Sequence, residues 1–233
     1  MNKEEFIQEL KKINIEITDK KLKQLEEYYK FLIQENQKYN LTSITEESLV
    51  YLKHFYDSLT ITKSINLKDQ YICDIGTGAG FPGIVLKIFF PEIKIDLLDS
   101  TSKKCEFLNQ LIQKLELQNI KTINKRAEEY SQEKREIYDI VVSRAVAPLK
   151  HLLEYSTPLL KINGYFIALK SNLDKELEKI ENYHKKLSLS EENITKFYLP
   201  KENSLRTIYK IKKISETNPI YPRSYSQIKK KDI

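Results

Sequence analysis

The chain has 233 residues, 40% of them hydrophobic, which suits one large domain or a domain with an extension and is enough to build a buried core. No apolar run approaches the roughly 20 residues needed to cross a bilayer, and Met1-Asn2-Lys3-Glu4-Glu5 lacks the basic-then-apolar order of a signal peptide, so a cytoplasmic protein without a membrane partner is expected. The net charge of +6 belongs to the end of the chain, where nine lysines and arginines stand against three acids from Lys201 onward, and the two cysteines support neither a disulfide framework nor a metal site.

Residues 1–64 are rich in lysine and glutamate and place apolar residues at helical spacing: Phe6, Leu10 and Ile13, then Leu22, Leu25, Tyr28 or Tyr29, and Leu32. This predicts an amphipathic helical extension, with Thr18 and Asp19 capping its second run. After a break at Asn40-Leu41-Thr42-Ser43, another helix puts Tyr51, Phe55 and Leu59 on one face, with His54 beside Phe55 and Asp57-Ser58 a turn later. The aromatic stripe reads as core, and His54 alone reads as a surface or satisfied histidine.

From Tyr71 the pattern changes to short apolar runs separated by helical stretches. Strands are predicted over 71–75, 94–98, 120–124, 138–142 and 164–170, with helices over 81–90, 101–116 and 148–160. The run Asp174 to Lys186 reads as a charged surface helix, and 194–199 with 207–214 as an antiparallel hairpin at the sheet edge. The fold class is therefore α/β, a doubly wound, mostly parallel, seven-stranded sheet over 65–215, followed by a basic tail over 216–233. Cys73 and Cys105 fall in a core strand and a helix and read as packing residues.

The first of these strands runs into Asp74-Ile75-Gly76-Thr77-Gly78-Ala79-Gly80-Phe81-Pro82-Gly83. Glycines here let backbone approach a ligand, and the following helix aims free N–H groups at it. Such a turn occurs in dinucleotide enzymes, in methyltransferases and as plain turn chemistry. Asp74 suits a ligand with an ammonium or sulfonium charge and would repel a pyrophosphate. The second strand ends in Asp99-Ser100, where a carboxylate reaches the two hydroxyls of a ribose. S-adenosylmethionine has both features, which favours a sheet of the S-adenosylmethionine-dependent (class I) methyltransferase type.

Ligands of such sheets bind outside the carboxyl ends of the strands. The third strand is followed by Lys125-Arg126-Ala127-Glu128, which reads either as a charged loop or as backbone and acid flanking an adenine. The fourth ends in Ser143-Arg144-Ala145, and an arginine facing a cleft there is costly unless it meets an anion. An amino-group methyltransferase usually has Asn or Asp followed by Pro-Pro and an aromatic at that point, and a pyrimidine-carbon methyltransferase needs a nearby cysteine. The chain has neither device, which suits a target with its own lone pair, such as guanine N7, aligned by positioning alone.

These stretches closely resemble the RsmG (GidB) family of bacterial 16S ribosomal RNA guanine-N7 methyltransferases. The resemblance runs through Tyr39-Asn40-Leu41-Thr42-Ser43, His54-x-x-Asp57-Ser58, Asp74 to Gly83, Leu97-Leu98-Asp99-Ser100, Ala127-Glu128, Ser143-Arg144-Ala145 and Ala168-Leu169-Lys170. It implies a donor site for S-adenosylmethionine formed by Gly76, Gly78, Phe81, Asp99, Ser100, Ala127 and Glu128, beside the Asp74 already singled out, with Arg144 at the donor and positioning the reaction. It also implies an RNA-facing rim at Asn40, His54, Asp57 and Lys170. The partner would be 16S ribosomal RNA or the 30S subunit, met by a monomer. The tail is either a solvated, fraying terminus or a polyanion contact through Arg223, Lys229, Lys230 and Lys231. A methyltransferase of proteins or small molecules, and a nucleotide-binding regulator without catalysis, are the competing readings.

Overall fold

The computed structural model describes residues 1–144 and 147–233. Helix α1 (Lys3–Lys12) opens on a capping box in which Asn2 accepts the Glu5 N–H and Glu5 accepts the Asn2 N–H. Thr18 caps α2 (Asp19–Tyr39) through the Lys21 N–H, and α2 ends where Asn40 takes a left-handed conformation at φ 49°. Helix α3 (Glu47–Val50) then runs into a π-helical turn over Tyr51–Tyr56, α4 (Asp57–Leu59) and a 3₁₀ turn over Thr60–Lys63. Tyr51, Phe55 and Leu59 are buried as their spacing predicts, and His54 and Asp57 are buried with them. A π turn packs its residues more widely than an α-helix and is frequent at functional sites.

The α/β part follows in the order β1 (Tyr71–Ile75), α5 (Gly83–Phe89), β2 (Lys94–Asp99), α6 (Ser102–Lys114), β3 (Ile120–Asn124), α7 (Ala127–Glu133), β4 (Tyr138–Arg144), α8 (Leu149–Ser156) and β5 (Leu160–Lys170). Short helices α9 (Asp174–Leu177) and α10 (Glu181–Lys186) precede β6 (Leu189–Tyr198) and β7 (Leu205–Lys213), and α11 (Tyr225–Lys230) lies near the end. The seven strands stand in the order β3-β2-β1-β4-β5-β7-β6. The first five are parallel, and β7 enters antiparallel between β5 and β6. Strand order reverses between β1 and β4, so the carboxyl ends of β1, β2 and β4 surround one crevice.

Side chains alternate across the sheet, and each face carries a core. Ile72, Leu97, Ile140 and Val142 pack on one side with α5 and α6, and the same cluster takes in Phe6, Leu10, Leu25, Tyr28, Tyr51 and Phe55 from the N-terminal helices. Cys73, Leu98, Val141 and Phe166 pack on the other side with α8, and Tyr221 and Ile228 of the tail join them.

Four expectations change. Helix α7 was not predicted, because Ala127 to Glu133 offers a single large apolar residue, Tyr130, to a periodicity reading. The charged stretch 174–186 divides into α9 and α10 instead of forming one helix. Strand β5 begins at Leu160, taking residues expected in the preceding helix and loop. The tail is not a fraying terminus: Ser224 and Gln227 form a capping box at α11, and Ile228 is only 1% exposed.

Candidate active site

Strand β1 delivers a loop whose three glycines have φ of +68° (Gly76), +61° (Gly78) and +101° (Gly80). The Gly76 and Thr77 N–H groups donate to the Leu98 carbonyl at 2.7 and 3.2 Å, pinning the loop to β2. Gly78 faces open space: a Cβ there would meet no protein atom closer than the Gly76 carbonyl at 3.9 Å. At Gly80 a Cβ would lie 2.7 Å from the Tyr28 hydroxyl, and at Gly83 2.8 Å from Asp74 Oδ2, so those glycines serve packing. Asp74 Oδ2 accepts from the Thr77 hydroxyl (2.7 Å) and the Gly83 N–H (2.8 Å). Its Oδ1 is buried without a partner among the described residues. Burial raises this carboxyl to about 6, against the opposing pull of the Thr77 and Gly83 bonds and of Arg144.

The N-terminal helices reach into this loop. The Tyr28 hydroxyl donates to the Ala79 carbonyl at 2.5 Å, and the ring stacks with Phe81 at 5.2 Å between centroids. The His54 ring also stacks with Phe81, at 4.3 Å, and the Arg144 guanidinium lies 5.2 Å from the Phe81 centroid. Arg144 donates to the Lys53 carbonyl (2.9 Å) and to His54 Nδ1 (3.2 Å), and it pairs with Asp57 at 3.5 Å. Because arginine only donates, His54 Nδ1 is an acceptor and its proton sits on Nε2, 2.9 Å from the Thr42 hydroxyl. Burial and the Arg144 charge push the imidazole down to about 3, so His54 is neutral at physiological pH. Arg206, on β7, holds the other Asp57 oxygen at 3.1 Å.

A cavity of about 470 Å³ opens at the strand ends, lined among others by Gly76, Asp99, Ser100, Glu128, Arg144 and Tyr225. The Asp99 carboxylate accepts from the Gly78 N–H (3.1 Å) and the Thr101 N–H (2.9 Å). Glu128 accepts from Arg126 Nε at 2.5 Å, and the Arg126 guanidinium lies over the Tyr225 ring at 4.2 Å. Of the donor residues inferred from sequence, Gly76, Asp99, Ser100, Ala127, Glu128 and Arg144 line this cavity, while Asp74, Gly78 and Phe81 stand outside its lining. The opening at Gly78, the unpartnered oxygen of Asp74 and the acid at the end of β2 fit a ligand with a sugar diol and a cationic end.

The residues expected to face RNA divide into two groups. Asn40, Lys229, Lys230 and Lys231 are exposed. His54 and Asp57 are engaged with Arg144, Lys170 is bonded to the Ala147 carbonyl (2.8 Å) and Glu176 (2.7 Å), and Arg223 is paired with Glu154 at 2.8 Å. Ala145, last of the Ser143-Arg144-Ala145 end, lies outside the described residues. Three residues of the site were missed from sequence, Tyr28, Arg206 and Tyr225, and no local pattern marks them; Arg126 stands in the quoted Lys125-Arg126-Ala127-Glu128, but only the backbone and acid of that stretch were given a role. Among the described residues, no group of His, Cys, Asp and Glu side chains is arranged to hold a metal, and no helix is long and apolar enough to cross a membrane.

A parallel sheet closed by an antiparallel seventh strand, with a glycine turn after β1 and an acid ending β2, defines the class I S-adenosylmethionine-dependent methyltransferase fold. A SAM-dependent methyltransferase from Aquifex aeolicus superposes with a TM-score of 0.56 over 74% of this chain and 97% of its own, at 13% identity. M. jannaschii TYW2, solved in complex with AdoMet, gives 0.56 over 68% of this chain and 77% of its own, at 15% identity. At such identities the likeness is one of fold. Within that class the chain belongs to the GidB family, rRNA small subunit methyltransferase G, whose family model matches residues 21–205. It is 49% identical to the ribosomal RNA small subunit methyltransferase G of Mycoplasma capricolum, over 94% of this chain and 92% of the relative. The protein of that name from Bacillus subtilis is 44% identical, over 96% and 95% of the two chains.

Proposed function

We propose that this chain transfers the methyl group of S-adenosylmethionine to N7 of a guanine in 16S ribosomal RNA, alone or within the 30S subunit, acting as a monomer in the cytoplasm. Family membership supports an rRNA methyltransferase over a regulator without catalysis. The observation that carries the atom specificity is chemical: among the described residues lining the cavity there is no histidine or cysteine, and nearby His54 is neutral with both nitrogens engaged. A site with no thiol and no free imidazole, whose carboxylates this reading assigns to the donor, suits an acceptor with its own lone pair, and guanine N7 has one. The donor, when bound, supplies an electrophilic methyl on a sulfonium.

In this reading Asp99 meets the ribose diol, Ala127 and Glu128 flank the adenine, and Asp74 supplies negative charge for the ammonium. Gly76 and Gly78 let the backbone close on the ligand, and Arg144 with Phe81 shapes the transfer cleft. Asn40, Lys229, Lys230 and Lys231 meet RNA directly, and His54, Asp57, Lys170 and Arg223 act by holding the shape of that face. Labelled methyl offered with 16S RNA, 30S particles and RNA from a strain lacking the gene should enter one guanine as N7-methylguanine. Label at another atom, or none in ribosomal RNA, would falsify the reading.

The raised Asp74 carboxyl predicts a pH dependence. Below about pH 6 the carboxyl of the free protein holds a proton, and an ammonium partner favours the ionised form. Donor affinity is therefore lost as pH falls through that value, by about tenfold between roughly pH 7 and pH 5. Titration calorimetry with S-adenosylhomocysteine at several pH values checks this, and Asp74→Asn should flatten the profile.

A further inference from the structure

The C-terminal segment packs against the donor cavity, although its composition suggests either a fraying terminus or a polyanion contact. Tyr225 is among the residues lining that cavity, yet the residue stays 40% exposed. Its position is built rather than incidental. Arg135 donates to the carbonyls of Thr217 (2.8 Å) and Tyr221 (2.7 Å), and Gln132 donates to the Pro222 carbonyl at 3.2 Å. Arg223 is held by the fully buried Glu154, and Ile228 is buried one turn beyond Tyr225. These anchors lie on both sides of Tyr225, so the ring is fixed by its neighbours and not by its own burial.

The ring in turn fixes Arg126. The guanidinium lies 4.2 Å from the Tyr225 centroid while its Nε holds Glu128, which places a flat cation between an aromatic ring and an acid at the mouth of the cavity. A flat guanidinium backed by an aromatic ring suits a flat, π-rich ligand. The surrounding loop follows β3, on the side of the cavity occupied by Glu128 and away from Arg144 of β4.

We propose that Tyr225, brought by the C-terminal segment, is a positioning residue of the donor site: it backs Arg126 so that the Arg126–Tyr225 pair forms the wall against which the adenine of the donor packs. The inference rests on the donor assignment above and adds to it a residue from outside the matched part of the family, residues 21–205. The tail then serves the donor as well as any RNA.

The test measures binding to the full chain by titration calorimetry, without RNA, using S-adenosylhomocysteine and 5′-methylthioadenosine, which keeps the adenine end but lacks the amino acid. Tyr225→Ala should weaken both ligands by a similar factor, about tenfold, and Tyr225→Phe should restore binding, since the π face is retained. Arg126→Ala should cause a comparable loss, and the double variant little more than either single one, because the two side chains act as one wall. Unchanged affinity for both ligands in Tyr225→Ala, or weakening of S-adenosylhomocysteine alone, overturns the proposal. A thermal unfolding midpoint close to wild type in Tyr225→Ala, expected for a ring this exposed, separates wall loss from unfolding; a large drop with Tyr225→Phe equally impaired assigns the ring to folding and overturns it too. A wild-type chain that binds neither nucleoside overturns the donor assignment itself, whereas binding by wild type and Tyr225→Ala alike overturns only the role of the tail.

Discussion

Replacing Arg144 by lysine is expected to lower the rate of methyl transfer by about a hundredfold or more while S-adenosylhomocysteine binding weakens far less. The guanidinium makes three distinct contacts, with the Lys53 carbonyl, His54 Nδ1 and Asp57, and it lies over Phe81. An ammonium keeps the charge but not the planar fork, so it can satisfy Asp57 or the carbonyl and not hold the imidazole as well. The His54 ring then loses its acceptor bond and its fixed tautomer, and the Phe81 face it stacks on loses definition. Alanine goes further. It leaves the buried Asp57 carboxylate with Arg206 and takes a donor from the Lys53 carbonyl and from His54 Nδ1, a change that costs less than the about 3–5 kcal/mol of a buried charge left wholly unpaired. Single-turnover transfer of labelled methyl, read beside calorimetric binding and the unfolding midpoint, separates the two effects. Full turnover by Arg144→Lys would show that the fork has no part in positioning.

What could be read beforehand was local. Asp74, the glycines and Asp99 were legible because a buried strand, a tight turn and a helix start each leave a signature within a few residues, and those signatures fix which side chains stand at strand ends. Sheet order was less accessible: nothing near 205–213 says that β7 inserts between β5 and β6 instead of extending the edge. Helix α7 escaped for lack of apolar period, since its burial rests on Tyr130 and on the Ser131 hydroxyl bonded to the Tyr155 carbonyl at 2.6 Å.

Charge was visible while its destination was not. Lys170, put on the RNA-facing rim by resemblance, and Arg223, given to polyanions in one reading of the tail, are paired within the protein with Glu176 and Glu154, which come from separate elements. His54 alone reads as a surface or satisfied histidine; it is buried and satisfied, and one group that satisfies it lies 90 residues away. One local signal was overlooked. Glu154 interrupts the apolar run Leu152-Leu153 with a carboxylate that the fold buries completely, and a buried acid requires a cation from somewhere.

That requirement sets the second large effect. Glu154→Ala is expected to loosen the C-terminal segment around Arg223, at a cost of about 3–5 kcal/mol for leaving that mostly buried guanidinium without its carboxylate. Glu154 accepts from the Arg223 main-chain N–H (2.9 Å), Nε (2.9 Å) and Nη2 (2.8 Å), so one carboxylate fixes both the backbone and the side chain at this point. The remaining anchors, among them two bonds from Arg135, one from Gln132 and the buried Tyr221 and Ile228, keep the segment near the body but supply no carboxylate to the Arg223 guanidinium. Hydrogen exchange should rise over residues 217–233 and hardly elsewhere, and proteolytic cleavage near Lys229 should accelerate. Glu154→Gln should fall between, since an amide oxygen accepts but bears no charge, and Arg223→Ala combined with Glu154→Ala should cost less than the sum of the two singles. Suppose instead that Arg223 were engaged chiefly with RNA phosphates. Its removal would then lower the salt slope of RNA binding by about one unit and leave exchange in the free protein untouched, whatever stood at position 154.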